Sequence, residues 1–170
     1  MVKNIDTGDW LESKVRKLLK ECNIFNIKPM DFKSLTVFLS KYPHLAKQVP
    51  QSPCDRMCIY KGMSIWLEMK HVIGKSLPFD RIKTHQISNL RRHEEKGEGK
   101  SFVVIGIRHD SLGKRSHIYF VPIMKIIDYV LSSDTDRKSF PLDWIIDNGI
   151  YIKVSDDLLI FFGKLYKTLN

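Results

Sequence analysis

The strongest constraint on the fold is the run Met63 to Val72, MSIWLEMKHV, in which apolar side chains alternate with others. Strand side chains repeat every two residues, so Ile65, Leu67 and Met69 share one face and Trp66, Glu68 and Lys70 the other. The first face is core. The second carries a carboxylate and an ammonium beside a tryptophan, and such charges are rarely buried unless they are paired, bind a metal or do chemistry.

The chain around this run supplies its packing partners. Asp55 to Tyr60 is a second strand-like run, and Lys61-Gly62 between the two makes them a β-hairpin. Gly8 to Phe25 reads as a helix with Leu11, Val15, Leu18, Leu19 and Cys22 in one stripe and Glu12 at its edge. Residues 28 to 53 are broken by Pro29, Pro43, Pro50 and Pro53, with one or two short helices among them. Ser76 to Lys96 returns to helical period, with Pro78 in its first turn and Gly97 and Gly99 ending it. Gln86 shares a face there with Ile82 and Leu90, so it must find a polar partner. Two strands follow, residues 101–107 and 117–123, split by the turn 110–116. A helix over 124–132, a strand near 149–154 and a final helix capped by Ser155 and Asp156 complete the order. With no repeat and no dividing linker, residues 1–170 are expected to form one domain, α/β or α+β, whose mixed central sheet is flanked by helices.

Charge narrows the partners. The 28 Lys+Arg outnumber the 19 Asp+Glu, for a net charge of +9, which favours a polyanion, nucleic acid before membrane, over an indifferent basic surface. No segment approaches the roughly 18 apolar residues of a membrane span. The first residues lack the apolar core of a secretory signal, so a reducing, cytoplasmic setting is expected. The three cysteines then read as free thiols. Cys54, Cys58, His71 and His85 make a zinc site on paper, but the spacing is a weak signal, and buried cysteine is the plainer reading.

An acid two residues before a lysine occurs six times, at Glu12/Lys14, Asp31/Lys33, Glu68/Lys70, Glu94/Lys96, Glu98/Lys100 and Asp136/Lys138. Only Glu68/Lys70 lies on an apolar strand that puts both side chains on one side. The hairpin can bring Asp55 to Glu68, and two converging carboxylates suit Mg²⁺ or Mn²⁺. A lysine beside them can orient water or stabilise charge on a phosphate. The alternative is an ordinary Glu68–Lys70 ion pair with Asp55 capping a turn, and both readings stand on these residues alone.

The run PQSPCDRMCIYKGMSIWLEMKHVIGKSLPFDRIKTHQISNL resembles the central block of the RecU-type Holliday junction resolvases, in the PD-(D/E)XK nuclease superfamily. Weaker parallels are GDWLESKV, IYFVPI and RKSFPLDWIIDNG, so the likeness runs from Gly8 to about Val154. It implies a restriction-endonuclease-like α/β fold and an Mg²⁺-dependent homodimeric endonuclease, with Mn²⁺ as a substitute ion, that cuts four-way DNA junctions. On the same grounds Asp55, Glu68 and the Met69 carbonyl would hold the metal, and Lys70 would position water. Glu12 would complete the acidic cluster and Gln86 would reach the site from the following helix. The resemblance weakens over 28–53, where the family has a junction-entering stalk and this chain reads as helix. Restriction- or repair-type cleavage of other DNA, and a catalytically silent DNA-binding module, are the alternatives. Lys61, Lys75, Arg81, Lys83, Arg91 and Arg92 are the expected phosphate contacts, each also readable singly as a solvated charge. His71 and His85 read as packing residues, and Trp66 as a wall of the site.

Overall fold

A computed structural model describes residues 7–28, 52–108, 117–132 and 137–168. The expected short helices of 28–53 and the turn 110–116 fall almost wholly outside these residues. A sheet of six strands has the order β1 (Phe25–Ile27), β2 (Arg56–Tyr60), β3 (Met63–Ile73), β5 (Gly99–Arg108), β6 (His117–Pro122), β8 (Ile150–Tyr151). β3 and β5 are parallel, and the other neighbours are antiparallel. A parallel pair needs a long crossover. Here it contains β4 (Ser76–Pro78), a 3₁₀ turn (Phe79–Arg81) and α2 (Thr84–Glu95).

Alternation on β3 and β5 builds two cores. Ile65, Leu67, Met69, Phe102 and Val104 pack with α1 (Thr7–Glu21) and α5 (Ser155–Lys167), whereas Val72, Val103, Ile105 and Ile107 pack on the opposite face. That face is covered by α2, α3 (Ile123–Ser132) and α4 (Leu142–Asn148). The mixed central sheet with helices on both faces is therefore as expected. No helix among the described residues is long and apolar enough to cross a membrane.

The Lys61-Gly62 turn is observed, with φ of 49° and 83°, the left-handed pair that a tight hairpin requires. Three helix boundaries differ from the periodic reading. α1 stops at Glu21 because Asn23 turns left-handed (φ 54°), and the Asn23 and Ile24 N–H groups bond back to the Lys20 and Leu19 carbonyls. This C-terminal motif releases the chain into β1. The helix expected from Ser76 begins only at Thr84, since β4 instead pairs with β7 (Ser139–Pro141) and buries Leu77 beside Phe140. The residue before a proline avoids helical backbone, which favours the extended form at Leu77. The last helix is capped by Asp157 rather than by Ser155 or Asp156. Its carboxylate accepts from the N–H groups of Lys153 and Val154 (2.9 and 3.0 Å), and these bonds lower its pKa.

Candidate active site

β2 begins one step too late to cover all of β3: its first pair is Arg56 with Leu67. The β2-facing edge of Met69 therefore lies beyond the end of β2, and the Asp55 carboxylate occupies that space, accepting the Met69 N–H at 2.7 Å. A strand residue points its N–H and C=O to the same edge, so the Met69 carbonyl faces the Asp55 side as well.

Glu68 leaves β3 on the α2 face and is 1% exposed. Its Oε1 accepts from Lys70 Nζ at 2.6 Å and from Gln86 Nε2 at 2.5 Å. Gln86 can reach because it stands in the first turn of α2, where its Oε1 also accepts the Lys83 N–H at 2.9 Å. The polar partner demanded by its place on an apolar helix face is Glu68. The other oxygen, Glu68 Oε2, is buried with no hydrogen-bond partner among the described residues. Burial first, then the charge of Asp55, pushes the Glu68 carboxyl up to about 7, while Lys70 pulls the other way.

That arrangement fits a divalent cation. Two coupled carboxylates, one with an unsatisfied buried oxygen, supply hard donors and excess negative charge, and a backbone carbonyl lies on the same edge. Mg²⁺ commonly binds through one or two carboxylates and keeps several waters. Among the described residues no group of three or more His, Cys, Asp or Glu side chains could hold a metal. The zinc arrangement has no geometric basis there: Cys54 and Cys58 lie in the two different cores, and burial pushes both thiols up to about 12. His71 meets Trp10 edge to face.

Asp55, Glu68, Met69, Lys70 and Gln86 thus converge, but Glu12 does not contact them. Its carboxylate pairs with Lys28 at 3.4 Å and lines a cavity with Arg56, the residue after Asp55. Trp66 lies flat on His93 (ring centroids 4.3 Å apart), and His93 bonds Ser64 and Ser101 at 3.0 and 2.9 Å. Burial lowers the His93 pKa and favours the neutral ring.

The proposed phosphate contacts divide. Lys75, Arg81 and Lys83 are exposed between the end of β3 and the start of α2. Arg91 and Arg92 are exposed further along α2, Arg91 bonded to Glu95 at 2.7 Å. Lys61 stands apart at the hairpin tip, over the rings of Tyr60 and Tyr166, since about 23 Å of strand separates Met63 from Lys70. Sequence reasoning missed Arg108, whose charge with that of Arg81 helps lower the His71 pKa, after burial. Only the parallel register, which sets Arg108 against Ile73, brings it there.

The backbone is similar to that of Hjc, a Holliday junction resolvase from Archaeoglobus fulgidus, with a TM-score of 0.54 over 85% of this chain and 95% of that one, at 12% identity. The fold is the restriction-endonuclease-like, PD-(D/E)XK type of α/β arrangement. The model of the family Recombination protein U matches residues 15–168, and the chain belongs to that family. It is 33% identical over 104 residues to the Holliday junction resolvase RecU of Streptococcus equi subsp. zooepidemicus, covering 61% of this chain and 48% of the relative. Identity to the resolvase of that name from Streptococcus agalactiae is 30% over 105 residues, covering 61% and 49%. The matched region spans about half the length of these relatives.

Proposed function

We propose that this chain is an Mg²⁺-dependent endodeoxyribonuclease that resolves four-way DNA junctions as a homodimer, within one domain spanning residues 1–170. The observation that carries the reading is the state of Glu68: buried, one oxygen held by Lys70 and Gln86, the other unpaired and coupled to Asp55. Family membership supports the junction as substrate, and two strands to be cut favour a two-fold dimer.

Asp55, Glu68 and the Met69 carbonyl would hold the ion, which supplies Lewis acidity toward the phosphate and lowers the pKa of water. Phosphodiester hydrolysis forms one P–O bond to water and breaks one to the leaving sugar oxygen. Lys70 would hold the attacking water and offset charge on the phosphate, a role supported by the fixing of its ammonium by Glu68 at 2.6 Å. Gln86 would hold the Glu68 carboxylate in one rotamer, while Glu12, paired with Lys28, would contribute at most through its charge. The exposed bases Lys75, Arg81, Lys83, Arg91, Arg92 and Lys61 track the DNA backbone, which gives affinity without sequence readout. Segment 28–53 is proposed to contact the junction.

The experiment is nicking of a labelled synthetic four-way junction with Mg²⁺ in a large excess of unlabelled linear duplex. Cleavage that persists is the expected result. Cleavage of the linear duplex with equal preference would give the restriction- or repair-type reading instead, and tight binding without nicking in any divalent ion would give the silent module.

A further inference from the structure

On the opposite face of the sheet edge from Glu68, a cavity of about 260 Å³ is lined by Glu12, Ser13 and Arg16 of α1 and by Arg56 of β2. Arg56 is 7% exposed. One of its terminal nitrogens, Nη1, donates to Asn26 at 2.9 Å, while Nε is buried with no partner among the described residues. A guanidinium is always charged, so burying it without a counter-ion is costly. No described carboxylate lies within ion-pair distance of it. The one acid lining the cavity, Glu12, is engaged by Lys28 at 3.4 Å. Arg16 and Ser13 are one turn apart on α1 and exposed, so a second guanidinium and a hydroxyl face the space that Arg56 enters.

A closed hydrophobic role does not explain this set, because an apolar partner leaves the buried Arg56 guanidinium without a counter-ion among the described residues. A tetrahedral oxyanion does. Guanidinium groups bind phosphate oxygens through paired N–H donors, and a hydroxyl adds a third contact. Lys28, by neutralising Glu12, removes the repulsion that an anion would otherwise meet. We propose that Arg56, Arg16 and Ser13 form a phosphate pocket that seats a backbone phosphate of the bound DNA, neighbouring the one held for cleavage at Asp55 and Glu68. This deepens the nuclease reading and rests on it for the identity of the ligand. The chain order explains the coupling: Asp55 and Arg56 are consecutive and project to opposite sides of the sheet edge, so one backbone step positions both the metal ligand and the phosphate anchor.

The test is equilibrium binding of a four-way junction by the full chain over a range of salt, with Ca²⁺ in place of Mg²⁺ to block cleavage. The exposed Arg16→Ala should weaken binding about five- to tenfold at low salt and lower the slope of log K against log salt by about one. Arg56→Gln should do the same, with its melting curve taken alongside, and Lys164→Ala on α5 serves as a control expected to change neither. Titration with inorganic phosphate should shift the Arg56 Nε–H resonance in wild type and less in Arg16→Ala. Unchanged affinity and slope in Arg16→Ala would overturn the pocket, and if wild type still nicks DNA the nuclease reading survives that loss. A wild type that nicks no DNA yet shows the slope effect overturns the nuclease reading and supports the pocket. A phosphate response with no effect on DNA binding marks a free-anion site and overturns the DNA assignment.

Discussion

Glu68 holds its two oxygens in different environments, one bonded to Lys70 and Gln86 and the other buried and unpaired among the described residues. Its folded-state pKa of about 7 lies above the ordinary 4.5, so between those values the folded, metal-free protein binds more protons than the unfolded chain. This contribution to stability is present in full below about pH 4.5 and is lost as pH rises toward 7, by about 3 kcal/mol if the whole shift is realised. Melting curves in a chelator should therefore show wild type losing stability across this window relative to Glu68→Gln, and Mg²⁺ should reduce the loss by favouring the carboxylate. Parallel pH curves for the two proteins would contradict the assignment. Gln86→Ala removes one of the two donors to Glu68 Oε1 and the bond to Lys83 N–H. A stability loss of about 1 kcal/mol is expected from the missing helix-start contact, with a larger, 10- to 100-fold loss of nicking because the proposed metal ligand Glu68 would no longer be held. Denaturant titration beside single-turnover cleavage separates the two. A loss of nicking no greater than the loss of folded protein would reduce Gln86 to a cap.

The elements explain what was legible before the structure and what was not. Glu68 and Lys70 stood out because a period of two on an apolar strand leaves no freedom about which face they share, and Gln86 because a polar side chain interrupted an apolar helix stripe. Helix ends were not legible, since they depend on single events: Asn23 turning left-handed, Leu77 pairing with Phe140, Asp157 reaching back to two N–H groups. Arg56 gave no signal, because the partner that its guanidinium meets, Asn26, lies on a strand 30 residues earlier in the chain. Register can be tested at Gly99, where β5 meets β3. A Cβ there would fall 1.9 Å from the Ser64 carbonyl oxygen, at a φ of 159°. Gly99→Ala should cost roughly 2–4 kcal/mol in denaturant unfolding. A change under 0.5 kcal/mol would mean that β3 and β5 do not approach as closely as described.

At the scale of the whole molecule, a net charge of +9 and the coupled carboxylates Asp55 and Glu68 have to coexist. The fold separates them: Asp55 and Glu68 sit where β2 ends early, the exposed Lys75, Arg81 and Lys83 lie between β3 and α2 and Arg91 and Arg92 along α2, and Arg56 and Arg16 lie on the far face. On the proposed reading the basic surface would draw the DNA backbone in, and the acidic cluster would need a cation before a phosphate could approach. Affinity and chemistry are therefore expected to depend on different residues. The most direct measurement is cleavage of a four-way junction in Mg²⁺ by wild type, Glu68→Gln and Lys70→Ala, with junction affinity recorded for each. The account predicts loss of nicking by at least 100-fold in both variants at nearly unchanged affinity. Equal nicking by all three proteins would contradict it.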